Sequence, residues 1–286
     1  DHADTLHRQI LHGEFECVTL PRRQQSVSVN EQSSHAEWLG CSQQQDASDC
    51  LNGLSKLVDF HASYVVVDHY ALDYTWERCL LSALSGAKLL VIDDLADRPH
   101  SADWLVDTGR LHCWSDPAYV QLVDSKCQML LGPRYSFLSE DYGKARERIV
   151  ERTDLRRVLV FFGGVDHSNW CSLALKALSH PQLEDLQVDV VLGAGAPHVQ
   201  AIQQCVDQRP GWTLHVGLPT LSSLVASADV ALGAAGSHSW ERASLGLPAM
   251  AIAVAENQVE LLAALLREGL VESPDVDKRS ETVDAF

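Results

Sequence analysis

Arg157-Val158-Leu159-Val160-Phe161-Phe162-Gly163-Gly164-Val165-Asp166-His167-Ser168-Asn169 is an apolar run that stops at two glycines and a set of capping residues. A short continuous apolar run of this kind predicts a strand buried on both faces, and Gly163-Gly164 predicts a tight turn at its carboxyl end. Apolar residues then recur at helical spacing over residues 169–178. The same alternation continues downstream. Strands are predicted over residues 186–192, 212–216, 230–233 and 249–254, and helices over 198–206, 221–228, 239–245 and 259–268. Buried strands alternating with helices imply right-handed crossovers and an open parallel sheet. Such sheets bind ligands at the carboxyl ends of their strands.

Toward the amino terminus the signal weakens but keeps its form. Tyr64-Val65-Val66-Val67 reads as a strand ending at Asp68-His69-Tyr70, followed by a helix over residues 73–84. Lys88-Leu89-Leu90-Val91-Ile92 reads as a strand ending at Asp93-Asp94, and residues 128–131 as another ending at Gly132-Pro133. Residues 140–152 are polar and charged and read as a helical link. These readings give an α/β fold class with two Rossmann-like domains, residues 1–150 and 151–286, each with a parallel sheet. The chain opens inside what reads as a helix. Residues 24–34, rich in Gln and Ser, read as a surface loop.

The 286 residues carry a formal net charge of -17. That balance argues against a nucleic-acid groove and against docking on anionic lipid. A phosphorylated small molecule remains compatible, because helix N-termini hold anions locally. Eight cysteines are scattered without a C-x-x-C pair, which argues against zinc ribbons and redox dithiols. Reduced cytoplasmic thiols are expected. No secretory signal or bilayer-length apolar run is visible, so no membrane partner is expected.

Four turns carry residues suited to ligand chemistry. Gly233-Ala234-Ala235-Gly236-Ser237-His238-Ser239-Trp240-Glu241 follows a strand and opens a helix. Small residues let a phosphate approach the backbone, Ser237 and Ser239 offer hydroxyls, and Glu241 could accept from both hydroxyls of a ribose. The plainer alternative makes a serine the N-cap and Glu241 an ordinary first-turn acid. Gly163 and Gly164 could present backbone amides to a diphosphate, or the turn could be a helix start capped by Asp166 or Ser168. Asn257 suits a sugar amide or hydroxyl; taken alone, an N-cap for the following helix is the plainer alternative. His69 could act as a general acid or base and Tyr70 could donate to a sugar; the alternative is a turn stabilised by Asp68. The adjacent Asp93 and Asp94 point in different directions, which favours turn capping over a metal site. The sequence shows no H-E-x-x-H, G-x-S-x-G or G-x-G-x-x-G pattern, and neither a metal nor a cofactor is expected.

Taken in order, several segments resemble one family. These are Val67-Asp68-His69-Tyr70, Val91-Ile92-Asp93-Asp94-Leu95-Ala96, Leu131-Gly132-Pro133-Arg134-Tyr135, Phe162-Gly163-Gly164-Val165-Asp166, Gly236-Ser237-His238-Ser239-Trp240-Glu241 and Glu256-Asn257-Gln258. Over residues 38–266 the chain resembles the UDP-2,4-diacetamido-2,4,6-trideoxy-β-L-altropyranose hydrolases (PseG). The resemblance implies a GT-B-like fold related to MurG and metal-independent, inverting hydrolysis of a UDP-linked diacetamido sugar in pseudaminic acid biosynthesis. It implies that Gly163, Gly164, Ser237, Ser239 and Glu241 line the UDP site, that Asn257 binds substrate and that Tyr70 lies on the sugar side. A monomer is expected.

The chain departs from that family in three places. The Gly-x-Gly-His loop that carries the family's general base is not found, so the first β-α unit of the amino-terminal domain is expected to lie before Asp1. Ala71 stands where Gly is usual, and His238 where Thr or another uncharged residue is common. Two other readings remain open: a GT-B glycosyltransferase that passes the sugar to an acceptor, and a non-catalytic nucleotide-sugar-binding protein.

Overall fold

The computed structural model describes residues 16–21, 35–57, 59–111 and 118–274. The predicted opening helix, the loop at residues 24–34 and Cys113 lie outside the described residues. The chain divides into two compact units, Asp1–Tyr135 and Ser136–Phe286.

The first unit holds a four-stranded parallel sheet in the order β1-β2-β3-β4. Its strands are β1 (Tyr64–Val67), β2 (Lys88–Ile92), β3 (Trp104–Asp107) and β4 (Gln128–Leu131). Two helices, α1 (Gln43–Leu54) and α2 (Tyr74–Ala83), pack together. Ser42 caps α1 by accepting from the Gln45 amide, and Asp73 caps α2 by accepting from the Thr75 amide. Removing such a cap costs about 1 kcal/mol. Ala47 of α1 and Trp76 and Leu80 of α2 meet Val67, Leu89 and Val91 of the sheet in one buried cluster. Strand β1 forms one edge, where Tyr64 and Val66 are exposed.

The second unit holds a five-stranded parallel sheet in the order β7-β6-β5-β8-β9. Its strands are β5 (Arg157–Phe161), β6 (Gln187–Leu192), β7 (Trp212–Val216), β8 (Val230–Ala234) and β9 (Ala249–Ile252). Its helices are α3 (Glu140–Arg146), α4 (Trp170–Leu178), α5 (Val199–Asp207), α6 (Ser222–Ser227), α7 (His238–Ser244) and α8 (Val259–Arg267). Val158 and Val160 of β5, Val188, Val190 and Leu192 of β6, and Ile202 of α5 centre the main core. Full burial of each such side chain contributes about 1.5–3 kcal/mol. The chain leaves β5 toward β6 and β7, then returns to the other side of β5 to form β8 and β9. The reversal places a crevice at the carboxyl ends of β5 and β8, where open α/β sheets receive ligands.

The division falls between Tyr135 and Ser136, not between residues 150 and 151. Helix α3 is shorter than the charged run suggested, and it belongs to the second unit. Its Tyr142 is buried and donates to Glu241 of α7, while the Arg146 guanidinium donates to the Ser244 carbonyl. The residues after it are also fixed to this unit. Arg152 donates to the carbonyls of Val225, Ala228, Leu245 and Gly246, tying the ends of α6 and α7.

Candidate functional site

The loop after β5 is built by one carboxylate. Asp166 is buried, with φ of 44°, and accepts from the amides of Trp170 at 2.8 Å and Cys171 at 2.9 Å. Two of the orphan donors at the start of α4 are thereby satisfied. This matches the Asp166 capping alternative. Gly163 has φ of 102°, in the region that favours glycine, and the space beside Gly163 and Gly164 is open to 4 Å. The Gly164 carbonyl accepts from the Gly193 amide at 2.7 Å, joining the loops after β5 and β6.

Above these loops lies a cavity of about 330 Å³. Gly164, Gly193 and Gly217 supply backbone to it, and Tyr142, Ser237, His238 and Glu241 supply polar side chains. Its size falls at the low end for a small-molecule pocket, about 300–1,000 Å³.

Glu241 is held from two elements. Tyr142 of α3 donates its hydroxyl to Glu241 Oε2 at 2.7 Å, and His238 Nδ1 contacts the same oxygen. A carboxylate only accepts, so Nδ1 carries the proton and the neutral ring keeps its lone pair on Nε2. That Nε2 is buried without a partner among the described residues, and the ring meets Phe161 edge-on at 4.9 Å. Burial holds His238 below its ordinary value; the Glu241 hydrogen bond opposes the shift and Arg242 adds to it. Burial alone would raise Glu241, but the hydrogen bonds from His238 and Tyr142 outweigh it and hold the carboxyl below its usual range. Burial and Glu241 together push the Tyr142 hydroxyl up. Glu241 is therefore ionised at neutral pH, and among the described residues Oε1 is its unengaged oxygen.

Arg242, next along α7, points into the core. Its Nη2 donates to the Ala234 carbonyl at 3.1 Å and to Ser239 Oγ at 3.0 Å. Burial pushes its pKa down to about 10, so the guanidinium remains charged beneath Glu241.

The anticipated residues separate into distinct groups. Gly164, Ser237 and Glu241 line the cavity, and Gly163 shapes the turn beside it. Ser239 is buried and occupied by Arg242, so its hydroxyl faces the protein interior and not the cavity. The Ser239 and Trp240 amides also donate to the carbonyls of Gly236 and Ser237, which removes them from the pool of free donors. Ser237 makes no capping hydrogen bond. Asn257 is exposed in a short 3-10 turn (Glu256–Gln258) and is not the N-cap of α8; Gln258 occupies that position. Sequence reasoning missed Tyr142, which sits in a polar helix and carries no motif.

In the first unit, His69 Nδ1 accepts from the Ala71 amide at 3.1 Å. The neutral ring therefore carries its proton on Nε2, which suits a donor better than a base. Burial lowers its pKa, with Arg98 adding to that shift and Asp46 and Asp68 opposing it. The turn is closed by Arg98, which donates to the carbonyls of Leu72 and His69. Asp68 makes no hydrogen bond among the described residues. Tyr70 packs against His35 and Trp38, with ring centroids 5.2 and 6.1 Å away. Asp93 accepts from the Ala96 amide and the Tyr119 hydroxyl and pairs with Arg98 at 2.8 Å, as turn capping requires. Among the described residues no group of three His, Cys, Asp or Glu could hold a metal, and no helix is long and apolar enough to cross a membrane.

The two parallel-sheet α/β units define a GT-B-type fold. The chain is similar to the solved glycotransferase of kitacinnamycin, with a TM-score of 0.59 and 14% identity over 99% of this chain and 79% of that one. It is similar to the UDP-GlcNAc 2-epimerase from Neisseria meningitidis bound to UDP-GlcNAc, with a TM-score of 0.50 and 14% identity over 95% of this chain and 76% of that one. Among curated proteins, the spore coat polysaccharide biosynthesis protein SpsG of Bacillus subtilis (strain 168) is 26% identical over 137 residues. That match covers 48% of this chain and 40% of SpsG, so the chain spans less than half of that relative. No family model matches the chain.

Proposed function

We propose that the chain binds a UDP-sugar in the cavity of its second unit, and that the enzyme it represents hydrolyses a UDP-linked 2,4-diacetamido-2,4,6-trideoxy sugar to UDP and the free sugar. The observation that carries the first statement is the arrangement around the crevice. An ionised Glu241 faces a glycine turn with open space beside Gly163 and Gly164. The carboxylate suits a ribose diol, and the unobstructed backbone suits a diphosphate. The likeness to SpsG, named for polysaccharide biosynthesis, supports work on an activated sugar. The epimerase of similar fold was solved with a UDP-sugar bound.

Hydrolysis is the finer part of the proposal and rests on the ordered motifs from Val67 to Gln258. Water attacks the anomeric carbon and gives up a proton to solvent, the bond from that carbon to the diphosphate oxygen breaks, and UDP leaves with the electron pair. In this unit the residues bind and orient the nucleotide. Ser237 contacts the diphosphate, Glu241 holds the ribose, and Asn257 serves the sugar.

The test is UDP release from UDP-2,4-diacetamido-2,4,6-trideoxy-β-L-altropyranose without any acceptor, alongside calorimetric titration with UDP. Release with equimolar free sugar is the expected result. UDP binding with turnover only when an acceptor is added would replace hydrolysis by glycosyl transfer. Binding without turnover under either condition would leave a nucleotide-sugar-binding protein. Absence of UDP binding would overturn the nucleotide assignment itself.

A further inference from the structure

We propose that Tyr142 and His238 are positioning residues that clamp Glu241 for a ribose cis-diol and so set the preference of the cavity for ribonucleotides over 2′-deoxyribonucleotides. The inference rests on the nucleotide reading above and adds to it the two residues that make the carboxylate selective.

The argument starts from the count of donors. The Tyr142 hydroxyl and His238 Nδ1–H both end on Oε2. Two donors from different elements, α3 and α7, fix the torsions of a side chain that is otherwise free to rotate. Among the described residues Oε1 is then the carboxylate oxygen left for a ligand, and its two lone pairs match the two hydroxyls of a cis-diol. The clamp is itself rigid. Tyr142 is 3% exposed, and the imidazole is held against Phe161. Charge favours the same arrangement. Arg242 of α7 lies beneath, while His238 and Tyr142 supply the hydrogen bonds that keep Glu241 ionised. A site built to accept from a ligand hydroxyl loses that interaction when the hydroxyl is missing. A carboxylate free to rotate could instead turn to solvent or follow the remaining hydroxyl, and would discriminate less.

The experiment measures the dissociation constants of UDP and 2′-deoxy-UDP by calorimetry for the unaltered chain, Tyr142→Phe and His238→Gln. Tyr142→Phe keeps the buried ring and deletes only the hydroxyl. The unaltered chain should prefer UDP by about tenfold, the discrimination that one hydrogen bond supplies. Tyr142→Phe should shrink that ratio to about threefold or less. The acid limb of UDP affinity should also move to higher pH, because Glu241 loses a donor that keeps it ionised. A purely structural role would weaken both ligands equally and leave the ratio and the limb in place, which overturns the proposal. His238→Gln gives an independent reading of the same ratio if Tyr142→Phe does not fold. If the unaltered chain binds neither nucleotide, the nucleotide reading fails first and the clamp fails with it.

Discussion

Gly193 gives the sharpest mechanical test of the cavity floor. A β-carbon placed there would lie 2.6 Å from the Gly164 carbonyl oxygen and 3.1 Å from its carbon. An ordinary contact begins at 3.4 Å, so Gly193→Ala requires the two loops to part by about 0.8 Å. The Gly193 amide now donates to that oxygen at 2.7 Å. The same displacement carries the pair beyond hydrogen-bond range. Overpacking costs about 1–3 kcal/mol and the lost hydrogen bond about 1 kcal/mol, so a destabilisation of about 2–4 kcal/mol is expected. UDP affinity should fall as well, because Gly164 moves. The backbone at Gly193 does not require glycine's conformational range, so close approach alone is tested. Gly163→Ala is the complement: its φ of 102° is strained for alanine, while nothing lies within 4 Å of the new methyl. Strain there costs about 1–3 kcal/mol. Urea denaturation and calorimetric titration with UDP read both variants. If Gly193→Ala keeps stability within about 0.5 kcal/mol and binds UDP as before, the joined-loop account is wrong.

Three further outcomes follow from the electrostatics and the capping. His238 is held below its ordinary 6.5 in the folded state, so below pH 6.5 the unfolded chain takes up the proton more readily. Stability therefore falls as pH drops from 6.5 toward the folded value, His69 contributing in the same direction, and His238→Gln should flatten part of that slope in pH-dependent denaturation. Glu241, held below its ordinary 4.5, adds stability that is present above pH 4.5 and disappears as pH falls through its lower folded value. Asp166→Ala should cost about 1–2 kcal/mol by releasing the Trp170 and Cys171 amides, and Asp166→Asn should cost less, as thermal unfolding would show.

The strands of the second unit were legible because each is a continuous apolar run closed by small residues. Arg157–Phe161 and Trp212–Val216 are the clearest cases. Strand β3 escaped notice because Trp104–Asp107 has four residues and ends in a buried aspartate. Helix α1 escaped because Gln43–Leu54 is mostly polar and buries a glutamine, whose amide donates to the Ala71 carbonyl. At the site, Gly164, Ser237 and Glu241 were readable from their place after strands. Ser239 lies two positions along the helix start from Ser237, which turns its hydroxyl inward to Arg242, a contact the sequence does not reveal. Tyr142 was invisible because its role depends on a contact 99 residues away.

The cavity floor is main chain and its walls are side chains, and the two parts differ in what inheritance can alter. A substitution at Tyr142, Ser237 or His238 exchanges one wall group for another and changes the chemistry the cavity presents. A substitution at Gly193 cannot exchange anything, because it forces apart the loops that form the floor. Exchange in the walls therefore alters the chemistry of the cavity, while a side chain at Gly193 alters its shape.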